Sequence, residues 1–230
     1  MTPRIKFDLG LLPERPDLAF EKQLWEKGVT LVAGLDEAGR GALAGPVAAG
    51  AVVLPWDLAD LMNHLNGVRD SKVMSPTERE HWAEEVKTVA LAWGVGMAEP
   101  AEIDRMGIVP ATCLAATRAL ESLGVVPEHL LVDYLTLPGV QMPQTPMVKG
   151  DAHSLSVAAA SILAKTARDA LLIELDQAFS GYGFASHKGY ATKLHREAIA
   201  RLGPCEIHRR SFAPISDFYS LFPPGGEAVY

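Results

Sequence analysis

Four carboxylates occupy positions suited to chemistry: the adjacent pair Asp36-Glu37, then Asp133, then Asp151. The pair closes an apolar run, although acidic residues are disfavoured in strands. Successive strand residues point to opposite faces, so both can serve one site only where the strand ends or distorts. Gly39 and Gly41 follow at once and supply the backbone freedom for that. Asp133 repeats the arrangement after Leu130-Leu131-Val132, and Asp151 precedes a long helical stretch whose N-terminal dipole favours negative charge. Ordinary explanations stand beside these: Asp151 as a helix-start charge, Asp133 as a turn residue. The acidic pair is harder to explain so, because a hairpin turn needs at most one acid. If the four converge, mutual repulsion holds some of them protonated unless cations neutralise them. Oxygen donors without a His or Cys set favour Mg²⁺ or Mn²⁺ over zinc. Two such ions about 4 Å apart activate a water and stabilise the leaving oxygen of a phosphodiester.

The elements that must carry these groups are legible in the hydrophobic pattern. Val29–Leu35 and Val47–Leu54 read as strands joined through the Gly-rich bend Ala38 to Gly45, a hairpin. Ser75-Pro76-Thr77-Glu78 combines an N-cap serine, a first-turn proline and an acid at the third helical position, so a helix runs from there to about Thr88. Val89–Met97 reads as a third strand and Leu130–Asp133 as a fourth. Helices are expected over Glu99–Met106, Ala111–Leu123, Ser154–Phe179 and Ala191–Leu202, with a short amphipathic stretch at Leu18–Trp25. Pro138, Pro143 and Pro146 mark the segment after Asp133 as a loop. Strands first and helices later point to an α/β sandwich on a mixed sheet.

With 230 residues, 48% hydrophobic and 21% charged, the chain is an ordinary globular protein, which excludes disordered and fibrous classes. No stretch offers the ~18 uninterrupted apolar residues of a membrane helix. The charged N-terminus argues against a secretory signal. Two cysteines, Cys113 and Cys205, build neither a disulfide framework nor a thiolate zinc site, so a reducing, cytoplasmic setting is expected. The net charge is −7, yet residues 185–212 carry +4, leaving −11 for the remainder. One basic face on an acidic body suits a polyanion held in a single groove; a solvated basic helix explains the same count. His187, His195 and His208 share that segment, but their spacing fits no compact ligand set.

Longer motifs narrow the reading. Gly34-Leu-Asp-Glu-Ala-Gly-Arg-Gly41 with Leu43-Ala-Gly-Pro-Val47 resembles the signature of type 2 ribonucleases H, the ribonuclease HII family. The resemblance continues through Asp70-Ser-Lys72, Ser75-Pro76, Leu131-Val-Asp133, Lys149-Gly-Asp151 and Ala158–Lys165 with Arg168-Asp169. Gly183-Phe184, His187–Thr192, His208-Arg209 and Ser211-Phe212 complete it, in the family's order, over about residues 29–216. It implies a ribonuclease H-like fold: a mixed five-stranded sheet flanked by helices, with a C-terminal helical region. Residues 1–28 would be an N-terminal extension and 217–230 a tail. It also implies that Asp36, Glu37, Asp133 and Asp151 hold two divalent cations, Mn²⁺ or Mg²⁺. The implied activity is hydrolysis of the RNA strand of RNA–DNA hybrids, with incision 5′ to single ribonucleotides in duplex DNA, leaving 3′-hydroxyl and 5′-phosphate ends. One position departs: the residue after Asp133 is usually glycine, and here it is Tyr134.

The resemblance assigns substrate contacts as well. The backbone of Gly39, Arg40 and Gly41 would read a ribose 2′-hydroxyl, which needs unobstructed approach, although a plain hairpin bend explains the glycines equally. Tyr190 would stack on the neighbouring sugar. Lys72, Lys149 and Arg40 would contact phosphates or simply face solvent. Lys165 and Asp169, four apart, read as an intrahelical pair, and Cys113 as a small hydrophobe on its helix. The chain is expected to be a monomer, away from membranes. Two other classes compete: a strand transferase on the same fold, which would need a synapsis domain, and a hybrid-binding module with structural carboxylates.

Overall fold

A helix can lie directly on a sheet only where both surfaces are small, and this chain places glycine and alanine at those contacts. The computed structural model describes residues 15–221. In chain order these form α1 (Ala19–Trp25), β1 (Val32–Ala38), β2 (Val47–Val53), α2 (Leu61–His64), α3 (Pro76–Val89), β3 (Ala92–Ala98), α4 (Pro100–Met106) and α5 (Ile108–Glu121). There follow β4 (His129–Asp133), β5 (Gln144–Met147), α6 (Gly150–His153), α7 (Leu155–Ala178), α8 (Phe184–His187), α9 (Lys193–Leu202) and α10 (Ile215–Leu221). Parts of the expected N-terminal extension and tail, residues 1–14 and 222–230, lie outside the described residues. None of the described helices is long and apolar enough to cross a membrane.

The five strands form one mixed sheet ordered β3-β2-β1-β4-β5. β1, β2 and β3 make an antiparallel meander, while β4 runs parallel to both β1 and β5. Helix α7 covers β1 and β2 on one face; α5 covers β2 and β3 on the other. A Cβ on Gly50 would sit 2.2 Å from the Ala160 carbonyl oxygen, and one on Gly34 2.2 Å from the Ser156 carbonyl carbon. On the opposite face, Cβ atoms at Gly96 and Gly94 would meet the carbonyl oxygens of Ala115 and Ala119 at 2.2 and 2.4 Å. Ala158, Ala159 and Ala160 of α7 are fully enclosed, which explains why that helix reads as apolar nearly all round.

Helix α3 begins as its sequence dictates. Ser75 Oγ accepts from the Glu78 N–H, and the Glu78 carboxylate accepts from the Ser75 N–H. The helix runs on to Val89, so β3 starts at Ala92 and not at Val89. The proline-marked loop contains a strand: β5 pairs with β4 on the sheet's edge, where Pro146 needs no ladder donor on its outer side. Helices α2 and α6, four residues each, are too short for a periodic signal.

Behind the sheet, α8, α9 and α10 pack against the C-terminal half of α7 around Phe184, Leu172, Ile199 and Ile215. Part of the basic segment is internal, although Lys193, Arg196, Arg201 and Arg210 are exposed. Arg209, together with His187, His195 and His208, is buried, so the segment presents less positive charge to solvent than its sequence count implies. The three histidines do come together: the His187 and His195 rings stack at 4.3 Å, and His195 Nε2 lies 3.1 Å from His208 Nε2. His195 and His208 form a proton-ordered chain, with His187 stacked against it and bonded to the Tyr182 oxygen and the Gly189 N–H. A carbonyl only accepts, so His195 donates through Nδ1 to the Tyr190 oxygen at 3.0 Å. Its Nε2 then accepts from His208 Nε2–H, whose Nδ1 accepts from the Cys205 N–H at 2.9 Å.

Two outcomes follow from this packing. Gly50→Ala forces α7 away from β2 and is expected to cost about 1–3 kcal/mol, read as a melting-temperature loss of roughly 2–4 °C per kcal/mol; an unchanged melting temperature would contradict the close contact. Burial holds His195 and His208 down to about 4, while unfolded histidine titrates near 6.5. Between those values the unfolded chain binds more protons at these two rings, so their contribution to stability falls as pH drops from about 6.5 towards 4, by at most ~1.4 kcal/mol per pH unit for each ring. The raised carboxyls of Asp36, Glu37 and Asp133 act in the opposite sense. The difference in urea midpoint between the parent and His208→Gln, followed from pH 7.5 to 5, isolates the histidine part: the parent should lose stability relative to the variant.

Candidate active site

The pairing of β1 sets the carboxylates. On the β4 side the ladder ends at Leu35 opposite Val132, so Asp36 and Asp133 emerge side by side. On the β2 side the ladder continues through Glu37 and Ala38, which keeps β1 extended and turns Glu37 away from Asp36. Asp151 arrives from α6. Oxygens of Asp36, Asp133 and Asp151 all lie within 4.8 Å of one another. Glu37 is not part of that triad; its carboxylate receives Arg40 Nη1 at 3.1 Å beside it.

The triad is enclosed and short of donors. Asp36 is 5% exposed, and its Oδ1 accepts the Glu37 N–H at 2.7 Å, while its buried Oδ2 has no hydrogen-bond partner. Burial, then the charges of Glu37, Asp133 and Asp151, push the Asp36 carboxyl well above its usual range. Burial also raises Asp133, against the Gly150 N–H that reaches its Oδ1 at 2.7 Å. Burial raises Glu37, with Arg40 opposing. Lys72 Nζ stands 2.9 Å from Asp151 Oδ2; burial disfavours its charge, but Asp151, Asp36 and Asp70 outweigh that and hold its proton more tightly than usual. Clustered carboxylates, two of them resisting ionisation, with an unpartnered inward oxygen and no His or Cys among them suit a hard divalent cation.

A cleft of about 220 Å³ opens beside Asp36, Glu37 and Asp133, and Gly39, Arg40, Gly41, Lys72 and Tyr190 share its lining. Two larger hollows, of about 510 and 540 Å³, lie away from these carboxylates. The Gly-rich loop is held from behind by two buried guanidinium groups. Arg209 donates to the carbonyls of Gly39, Arg40 and Gly45 at 2.8, 2.8 and 3.0 Å. Arg168 donates to those of Pro46, Ala44 and Lys188 at 2.8, 3.0 and 3.0 Å. Tyr190 is half-buried, its ring 5.4 Å from the Arg168 guanidinium and 5.5 Å from Lys165 Nζ. Lys149 is exposed, with φ 57°, and does not line the cleft.

Lys165 makes the expected bond to Asp169, at 2.6 Å, but it also lines the cleft and faces Tyr190, which an intrahelical pair does not foretell. Ser71 lines it too, bonded to Ser161 of α7 at 2.9 Å. Neither has a sequence signal beyond its place in a motif. Tyr134, where the family pattern has glycine, takes φ 61°, the left-handed region that glycine enters without strain. Its N–H bonds the Met147 carbonyl at 2.8 Å, which ties this left-handed residue to the end of β5.

Known proteins similar to this chain point to one family. A ribonuclease HII of Anaeromyxobacter sp. is 52% identical over 210 residues, covering 91% of this chain and 65% of that one. A ribonuclease HII of Thermus thermophilus is 53% identical over 203 residues, covering 88% and 96%. The crystal structure of the ribonuclease H2 from Pyrococcus horikoshii superposes with a TM-score of 0.69 at 26% identity, over 82% of this chain and 97% of that one. The family model for ribonuclease HII matches residues 33–215, from the start of β1 to the start of α10, and by that span and those identities the chain belongs to the ribonuclease HII family.

Proposed function

We propose that this member of the ribonuclease HII family is a metal-dependent endonuclease that cuts the RNA strand of RNA–DNA hybrids and incises 5′ to single ribonucleotides embedded in duplex DNA. The observation that carries the reading is the unpartnered, buried Oδ2 of Asp36 beside Asp133 and Asp151. Membership of the family supports the hybrid substrate, and the local geometry supports the finer claims. Asp36, Asp133 and Asp151 would hold one divalent cation, and Glu37, offset from them across Asp36, would complete a second position. Divalent cations there supply positive charge at the scissile phosphate and a lowered pKa for water.

The remaining work falls to the chain's own groups. Gly41 lies open at the cleft, so main chain at Arg40-Gly41 can approach a 2′-hydroxyl closely. Tyr190 offers a ring fixed by Arg168 and Lys165 on which a sugar stacks. One 2′-hydroxyl contact and one stacking contact suffice for an RNA-to-DNA junction, so a run of ribonucleotides adds nothing essential. Arg40 and Lys72 stand at the cleft for phosphates, and the exposed Lys149, two residues before Asp151, would meet a phosphate outside it. The reading takes the chain as a monomer, with the catalytic unit over 29–216. A hybrid-binding module with structural carboxylates would not depend on metal.

Asp36→Asn keeps shape and removes one charge; cleavage should fall at least ~10³-fold while hybrid binding persists, the scale set by losing several kcal/mol of cation stabilisation. Near-normal turnover would remove Asp36 from the chemistry. A labelled duplex with one ribonucleotide should be cut on its 5′ side, with chelator abolishing the cut and all-DNA duplex untouched. On that substrate Tyr190→Ala should weaken incision markedly and Tyr190→Phe should retain much of it. Equal losses in the two variants would show that the hydroxyl, and not the ring, is what counts.

A further inference from the structure

One fully buried carboxylate has no part in that chemistry. Glu21, on α1, is wholly enclosed and comes from outside the segment that the family model matches. Its Oε1 accepts three bonds: from Ser154 Oγ at 2.6 Å, the Ser156 N–H at 2.9 Å and Ser156 Oγ at 2.7 Å. Ser156 is in the first turn of α7, so a side chain 135 residues away satisfies an N–H that a helix end leaves open, where the dipole favours negative charge. Two main-chain bonds run alongside. The Asp17 N–H donates to the His153 oxygen at 3.1 Å, and the Leu155 N–H donates to the Asp17 oxygen at 2.8 Å.

These bonds grip the far end of α6, the four-residue turn that carries Asp151. Its near end is tied by the Gly150 N–H to Asp133. A single turn has too few internal bonds to hold its own geometry. Its shape therefore depends on ties from outside: Asp133 at one end and Asp17–Glu21 at the other, with Lys72 on the Asp151 carboxylate itself. We propose that Glu21 is a positioning residue for Asp151, holding the α6–α7 junction so that the Asp151 carboxylate meets Asp36 and Asp133. This rests on the assignment of Asp151 to the cation site. Glu21 touches neither cation nor substrate; it acts through Ser154 and the turn before it.

Removing the acceptor should loosen the turn and misplace one ligand without removing it. The Glu21→Gln substitution keeps an acceptor oxygen for the same three donors and puts its amide where Oε2 now lacks a partner. The test is Mn²⁺ titration calorimetry on the full chain, well below each variant's melting temperature, with the Mn²⁺ dependence of hybrid cleavage measured in parallel. Loss of an outer-shell partner costs about 10–100-fold in metal affinity. Glu21→Ala should show that loss, with turnover largely restored at high Mn²⁺, while Glu21→Gln stays near the parent. If Glu21→Ala does not fold, Ser156→Ala, which removes one donor, should weaken Mn²⁺ binding in the same direction. Parent-like Mn²⁺ affinity in a folded Glu21→Ala, or in Ser156→Ala, overturns the inference and leaves Glu21 a stability anchor. Asp151→Asn is the control: if it binds Mn²⁺ like the parent, the cation-site reading falls, and this inference with it.

Discussion

Bringing Asp36, Asp133 and Asp151 within 4.8 Å of one another is the constraint around which the molecule is organised. At that separation each pair of full charges repels by about 3 kcal/mol at an effective dielectric near 20. Burial adds to the cost, which is why Asp36 and Asp133 resist ionisation. Such a cluster persists only where the surrounding frame over-determines it. The frame is the β1–β4 ladder, ending one residue before both aspartates, and α7, seated on β1 and β2 through Gly34 and Gly50. Lys72 supplies the nearest compensating charge, on Asp151.

A second electrostatic arrangement stands behind the Gly-rich loop and has the opposite sign. Arg168 and Arg209 are 0% exposed, and their guanidinium hydrogen bonds end on main-chain carbonyls. Burying a cation is costly unless its donors are satisfied, and six carbonyls spread over residues 39–46 and 188 do that here. Five of these bonds fix the 39–46 loop, and the sixth ties Lys188, two residues before Tyr190, to the Arg168 guanidinium. Because Arg168 also lies against Tyr190, loop and ring are held from one point. The histidine chain secures the other side of Tyr190 through its carbonyl oxygen.

The sequence reveals the parts of this frame that depend on local rules. The capping box at Ser75 and the long apolar helix obey propensity or periodicity, and β4 ends on Asp133 with its apolar run; β1 instead runs on through Asp36-Glu37 to Ala38 because β2 pairs with it there. The strand β5 is hidden because Pro146 signals a loop, and only its place on a sheet edge removes the conflict. Glu21 and the histidine chain are hidden for another reason: their partners lie 133 to 135 and 13 residues away, and no spacing rule covers such pairs. The spacing of Lys165 predicts its bond to Asp169, yet its second role comes from a tyrosine on another element. Spacing places residues on one element; it does not reveal what a neighbouring element brings to them.

The two glycines flanking Arg40 show how one short motif can carry two separate constraints. At Gly39 the backbone has φ 87°, and a Cβ would lie 2.0 Å from Arg168 Nε. That glycine is required by the protein's interior, since any side chain would displace the guanidinium that holds the loop. At Gly41 φ is unexceptional and no atom lies within 4 Å of an added Cβ, so nothing inside the protein demands glycine there. Gly39 is therefore required by the fold, whereas nothing in the fold accounts for Gly41. Arg40 between them is anchored inward by its carbonyl on Arg209 and outward by its guanidinium on Glu37. The loop's rigidity thus reaches the carboxylates directly, through a single residue.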